Sequence, residues 1–361
     1  MFNNVYNNKK VLVTGNTGFK GSWLTIWLKI LGAEVVGLSD SVPTEPSNYK
    51  ISDLEKRIEQ NFVNIINYNA VSDIVDKYQP DIIFHLAAQS LVRKSISDPH
   101  QTFQTNTMGT ANILEALRQN GKSIPTVIIT SDKCYRNVEW VWGYRENDEL
   151  GGDDPYSGSK AAAELVFRSY VNTFDNIIAA TTRAGNVIGG GDWAPDRIIP
   201  DCITAWLNGK LPLIRKPKAT RPWQHVLEPL SGYLTLGSLL YSEPQEYKGE
   251  SYNFGPTSDF SYTVLSLLKI MKEYWPDINW EESQSKKDSE GESTLLSLNC
   301  EKALSNLSWK SLMNINETVR MTAEWYLAYN DGADMYQFSK NQILNYVELG
   351  RKQKIDWANE K

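Results

Sequence analysis

The chain is poor in the residues that staple small proteins or hold metals. Of 361 residues, three are cysteine (Cys134, Cys202, Cys300) and three histidine (His85, His100, His225). An odd number of widely spaced cysteines with no Cys-x-x-Cys pair offers no disulfide framework, and a reducing cytoplasm is the expected setting. The scattered histidines show no His-Glu-x-x-His or similar spacing, so no metal is expected. No apolar run approaches the roughly 18 residues of a membrane span. Residues 1–10 are polar and Asn-rich, without the apolar stretch of a secretory signal. Positive charge is not in excess either: 37 basic against 43 acidic residues leave −6. That balance argues against nucleic acid, which needs a broad basic footprint, but leaves room for a local anion pocket. Internal repeats and low-complexity tracts are also missing.

What remains is an ordinary globular composition, 41% hydrophobic and 22% charged, with twelve Trp, eighteen Tyr and ten Phe. The length suits about two domains. Short apolar runs at 10–14, 34–38, 81–86 and 126–130 read as strands. Helical patterns at 22–31, 70–78 (ended by Pro80) and 104–119 alternate with them. This is the order of an α/β fold, a Rossmann-like doubly wound parallel sheet. Continuous apolar runs, rather than strict alternation, fit strands covered on both faces. Beyond about residue 190 the chain breaks into shorter pieces up to Pro229. Residues 226–240 and 263–275 then read as helical, 281–293 as a polar exposed loop, and the last sixty residues as further amphipathic helix. The expected division is residues 1–190, with returning segments from about 226–255, and a smaller mixed α/β domain over 191–361.

Between the first strand and first helix stands Gly15-Asn16-Thr17-Gly18-Phe19-Lys20-Gly21. A plain strand–turn–helix would also use such glycines. At this position in a βαβ unit they suit a dinucleotide, whose pyrophosphate must touch backbone and a helix N-terminus. Asp40, just past the second strand, is placed to hold ribose hydroxyls, which favours NAD over NADP. Tyr156-Ser157-Gly158-Ser159-Lys160 is Tyr-x-x-x-Lys, which puts both side chains on one face of a helix. A free Tyr, with a pKa of about 10, is a poor base, and a neighbouring ammonium favours its phenolate. Ser131-Asp132-Lys133 follows the strand ending at Thr130, where open parallel sheets place ligands. The same residues would also serve as a cap or Asx-turn.

Together with His85-Leu86-Ala87-Ala88-Gln89, these motifs resemble the extended short-chain dehydrogenase/reductases that modify nucleotide sugars. Longer strings narrow the resemblance to that family's 4,6-dehydratases of CDP-glucose. They are residues 130–135, 140–147, 183–193 and 221–229. The resemblance spans about residues 10–340. It implies tightly held NAD, oxidation of the sugar at C4, loss of water across C5 and C6, and return of the hydride to C6. By position, Ser131 bonds the C4 oxygen, Tyr156 is the base for its proton, and Lys160 lowers the Tyr pKa and holds the ribose. Asp132 becomes the acid for the leaving C6 hydroxyl. Lys133 stands where the dTDP-glucose branch has Glu, and either takes the C5 proton or stabilises enolate charge.

The resemblance also implies that Gly15, Thr17, Gly18, Phe19, Lys20, Gly21, Asp40, Leu86, Ala87 and Ala88, with Tyr156 and Lys160, line the NAD site. The nucleotide sugar falls to Gln89, Asn186, Asp192, Trp193, Arg197, Arg215, Arg221 and His225, largely from the second domain. Arg suits a diphosphate because its planar fork matches phosphate oxygens. Trp140 and Trp142 either wall the site or pack a core, and Cys134 reads as packing. A homodimer joined by helices near 104–119 and 157–172 is expected. Two rivals stay open. A 4-epimerase on this scaffold would not need Asp132, and an inactive NAD-binding sensor would commonly lose the Tyr or Lys.

Overall fold

The computed structural model describes residues 1–256, 262–283 and 296–359. Most of the polar loop expected at 281–293 lies outside them. Seven parallel strands form one sheet, in the order Ser251–Asn253, β6 (Ala179–Arg183), β5 (Thr126–Ile129), β4 (Ile82–His85), β1 (Lys10–Thr14), β2 (Glu34–Ser39) and β3 (Glu59–Phe62). Order reverses between β1 and β4, and a doubly wound sheet opens its ligand crevice at that switch.

The strands are apolar on both faces because both faces are covered. Val11 and Val13 of β1 enter one core, with Phe84, Val127, Trp23 and Trp27. Leu12, between them, enters the other, with Val36, Ile83 and Ile128. The first layer is closed by α1 (Phe19–Ile30) and the Leu227–Ser242 and Met335–Lys352 helices. The second is closed by the Tyr68–Tyr78 and Gly109–Asn120 helices and part of Pro155–Thr173. Each fully buried aliphatic side chain contributes about 1.5–3 kcal/mol.

Four expected strands stand at Lys10–Thr14, Glu34–Ser39, Ile82–His85 and Thr126–Ile129. The expected helix at 22–31 begins earlier, at Phe19, because Gly18 is its N-cap. The 104–119 segment opens with a π-helical stretch, Gln104–Met108, before regular helix from Gly109. Sequence reading does not find β3, β6 or Ser251–Asn253. β3 (Glu-Gln-Asn-Phe) is a polar edge strand. β6 is fully buried yet carries Thr181 and Arg183, whose polar groups find buried partners. Among the described residues no helix is long and apolar enough to cross a membrane.

Candidate active site

A cleft of about 1780 Å³ runs along the carboxyl ends of the strands. One end is backbone. Gly15 has φ +71°, and a Cβ on it would stand 2.7 Å from the Ala87 nitrogen; on Gly21 it would overlap the Gly15 carbonyl. Gly18 caps α1 without a side chain, so the first N–H groups of the helix face the cleft as an anion site. Thr17 is anchored away from the loop, its Oγ1 donating to the Ser41 carbonyl at 2.7 Å. Asp40 is exposed at the cleft wall, one residue beyond β2. Leu86, Ala87 and Ala88 leave β4 beside the cradle. The Ala87 N–H donates to Thr14 Oγ1 at 3.1 Å, which fixes the loop. Phe19 half-buries against the core, and Lys20 enters the cleft wall.

The chemistry-bearing residues meet in the middle. Ser131 leaves the end of β5, and its Oγ accepts the Lys133 N–H at 3.2 Å, capping a 3₁₀ turn over Asp132–Cys134. The segment is therefore a cap, and its residues also line the cleft. Ser131 Oγ also donates to Asp132 Oδ1 at 3.0 Å. Facing them is the helix Pro155–Thr173, started by Pro155 and by Asp154, which accepts the Ser157 N–H at 3.0 Å. It carries Tyr156 and Lys160 on its inner face, both buried.

Their electrostatics differ from the sequence expectation. Burial pushes the Tyr156 phenol up to about 12, with the Ser131 hydroxyl pulling it down. Lys160 does not bond the phenol: its Nζ donates to the Ile129 carbonyl at 3.1 Å, and burial brings it down to about 8. The strand-end carbonyl, already desolvated, draws the ammonium away from the ring. Lys20 also comes down to about 8, chiefly by burial. Arg197 and Lys160 push it the same way, and Asp132 and Asp192 oppose them. The Lys133 amine has no hydrogen-bond partner among the described residues, and it too lines the cleft.

The other end of the cleft is made of side chains. Asp192 is buried, its Oδ2 accepting Arg197 Nη1 at 2.9 Å. Arg197 Nη2 also donates to Ser90 Oγ at 3.2 Å. Trp193 stands edge-on to Tyr326 and Tyr329, with centroids 5.3 and 5.2 Å away. Asn186 lines the cleft with a left-handed φ of 52°. Arg221 is half-buried in the wall, and Arg215 is exposed at its rim.

Two expected substrate residues are committed elsewhere. His225 is fully buried outside the cleft, edge-on to Trp23, and burial lowers it to about 3, so it stays neutral. Its strand pairs with Val187–Ile188 and turns the ring inward. Gln89 reaches the cleft wall, but its side chain bonds Leu91 and Thr102 and so braces its own loop. Trp140 packs on Tyr144, Trp142 is 69% exposed, and neither lines the cleft. Cys134 is buried and its thiol pushed well up by burial, in keeping with packing.

Behind Ser131, Tyr156 and Lys160 lies a layer that sequence reading missed. Glu164, one turn beyond Lys160, receives Arg183 Nε and Nη2 in a two-pronged bond, each at 2.9 Å. It also accepts from Thr130 and Thr181. Burial pushes Glu164 up, but Arg183 and these hydrogen bonds outweigh it and leave its carboxyl below the usual range. Arg183 Nη1 bonds Tyr135 Oη at 2.8 Å, which in turn donates to Asn253 at 2.7 Å. The Ser131 turn is thereby tied to β6 and the returning strand. The only available signal was the i, i+4 spacing of Lys160 and Glu164.

A glycine cradle at the switch point, with a buried Tyr and Lys one turn apart on the facing helix, defines a Rossmann-type short-chain dehydrogenase/reductase. A family model described as GDP-mannose 4,6 dehydratase matches residues 12–322. The CDP-glucose 4,6-dehydratase of Salmonella typhimurium is 43% identical over 353 residues, 95% of this chain and 98% of that one. The chain belongs to this family of nucleotide-sugar dehydratases within the extended short-chain dehydrogenase/reductases. Solved structures share the fold. An epimerase from Methanothermobacter thermautotrophicus superposes with TM-score 0.78 at 22% identity, covering 91% of this chain and 95% of that one. A dTDP-glucose 4,6-dehydratase from Bacillus anthracis, in complex with NAD, gives 0.73 at 21% identity over 91% and 99%.

Proposed function

We propose that this chain is an NAD-dependent lyase that converts CDP-glucose to CDP-4-keto-6-deoxyglucose and water, a step of deoxysugar biosynthesis. One observation carries the reading: Ser131, Asp132, Lys133, Tyr156 and Lys160 open onto one cleft between the glycine cradle and a wall containing Arg197 and Arg221. The cradle fits NAD because Gly15 and Gly21 leave the space a side chain would fill, and Asp40 lines the same cleft. Bound NAD supplies reversible two-electron oxidation, so the reaction ends with no net redox change.

The chain's own residues move the protons. Ser131 orients the C4 oxygen and Tyr156 takes its proton. A phenol near 12 needs cationic help for this; Arg197 already pulls it down, and Lys160 stands one turn further along the same helix. The C4 ketone acidifies C5–H. The C5–H and C6–O bonds then break, Asp132 protonates the departing oxygen, and Lys133 faces the C5 proton or the enolate charge. Residues 1–190 with 226–255 hold NAD, and 191–361 mainly the nucleotide sugar.

Mass spectrometry across CDP-, dTDP-, GDP- and UDP-glucose tests the reading. CDP-glucose should give a product lighter by one water, and a product of unchanged mass overturns the reading. Asp132→Asn should still show reduced-nicotinamide absorbance, while elimination drops by about 10²–10⁴; wild-type turnover would refute the acid role. The reading includes a cytoplasmic homodimer, checked by cell fractionation and sedimentation. Phe103, Met108 and Leu165 stand 41–57% exposed beside the Gly109–Asn120 and Pro155–Thr173 helices, and Leu165→Glu should yield monomers.

A further inference from the structure

Asp132 belongs to two walls. One is the cleft; the other is an adjoining chamber of about 20 Å³, bounded also by Gly185 and Asn186, which the cleft shares, and by Pro222, Gln224 and Leu298. That is enough for one water, which needs roughly 10–15 Å³ and two or more polar partners. Gln224 is 2% exposed, and both its amide hydrogens are committed: Nε2 donates to the Gly185 carbonyl at 3.1 Å and the Phe254 carbonyl at 2.9 Å. Two carbonyl acceptors fix which end of the amide is nitrogen. Its Oε1 is buried and accepts nothing among the described residues. Native proteins seldom leave such an acceptor unmet except by water.

The two Asp132 oxygens are not equivalent. Oδ1 accepts from Ser131 Oγ. Oδ2 is the atom that a Cβ on Gly185 would meet first, and Gly185 bounds the chamber. We infer that one buried water bridges Gln224 Oε1 and Asp132 Oδ2, and so keeps the acid proton on Oδ1, the oxygen beside Ser131. The water has one hydrogen for each acceptor. With Oδ2 receiving one, the carboxyl proton resides on Oδ1 once Ser131 turns its own hydroxyl hydrogen away. When Ser131 turns its hydroxyl to the sugar, Oδ1 is free to give that proton to the leaving oxygen. Afterwards Oδ2 still accepts the same hydrogen, so the water serves both protonation states without itself exchanging a proton. Gln224 is thus a positioning residue: it holds the water and, through Nε2, the Gly185 backbone on which the carboxylate rests.

The acid role rests on the dehydratase reading, whereas the water does not. A crystal structure of the full chain, at a resolution that shows ordered solvent, should place one water within hydrogen-bond distance of both oxygens. Finding none, or one touching a single oxygen, overturns the inference. Gln224→Met keeps the volume and removes the acceptor. With CDP-glucose it should leave C4 oxidation near wild type and slow elimination about ten- to a hundredfold. Equal loss of both steps, or no loss, refutes the positioning role. If wild-type enzyme does not convert CDP-glucose, the functional reading falls, and the crystal structure still decides the water.

Discussion

At the cofactor end of the cleft the wall is backbone, and at the sugar end it is side chains. Gly15, Gly18 and Gly21 act by what they lack, within seven residues of one turn. Asp192 and Arg197, by contrast, work through side-chain bonds to each other and to Ser90, and the Tyr326 hydroxyl holds their loop by donating to the Asp192 carbonyl, partners brought together from across the chain. A backbone site is fixed by local conformation. A side-chain site depends on buried partners, and its weak points lie behind the surface that touches ligand.

The largest effect should therefore come from a residue that touches no ligand. Glu164→Gln strips the negative partner from Arg183 in a place where both are under 4% exposed. Breaking such a pair costs about 3–5 kcal/mol, because the remaining charge stays buried. Chemical denaturation should show a loss of that size, with Ser131 and Asp132 displaced as the Tyr135 tie loosens. A loss under 1 kcal/mol would mean that the rear layer does not hold the site.

At the backbone wall the effect should be smaller and confined to the cofactor. A methyl at Gly21→Ala would overlap the Gly15 carbonyl, which cannot swing aside as a side chain can. Overpacking of this kind costs about 1–3 kcal/mol, or about ten- to a hundredfold in NAD affinity. Calorimetric NAD titration checks this. An equal loss of global stability and NAD affinity would erase the distinction between the two ends.

This contrast also explains what could be read from sequence. The cradle, the Tyr156/Lys160 pair and the Ser131 turn were legible because spacing alone dictates their geometry. β6 was not, because Thr181 and Arg183 look exposed until Glu164 is placed opposite them. His225 and Gln89 sit in motif strings, yet their polar atoms turn away from ligand, one into the core and one onto its own loop. A string gives a position along the chain, and only packing says which way the side chain faces.

Between the two ends, pH gives a sharper test. Burial holds Lys160 down to about 8, well below its ordinary 10.5. If Lys160 is the cation that aids Tyr156, as proposed, its ammonium is lost as pH rises through about 8, and kcat/KM should fall about tenfold per unit above it. Lys160→Arg keeps a cation in that range and should move the falling limb upward. A limb that stays in place would assign it to another group, with Lys20, also near 8, the next to substitute.

The smallest effect separates the rim of the sugar end from its interior. Arg215 is exposed at the cleft edge and feels Asp201 only through solvent-screened charge. Arg197 is anchored by Asp192 and Ser90. An exposed cation contributes up to about 1 kcal/mol, so Arg215→Ala should raise KM for CDP-glucose less than about fivefold and leave kcat alone. Salt should reproduce much of that change in the wild type, since it screens the same charge. If Arg215→Ala instead raises KM tenfold or more and abolishes the salt dependence, the diphosphate is gripped at the rim. The interior arginine would then serve the loop rather than the ligand, and the sugar end would be built from its edge inward.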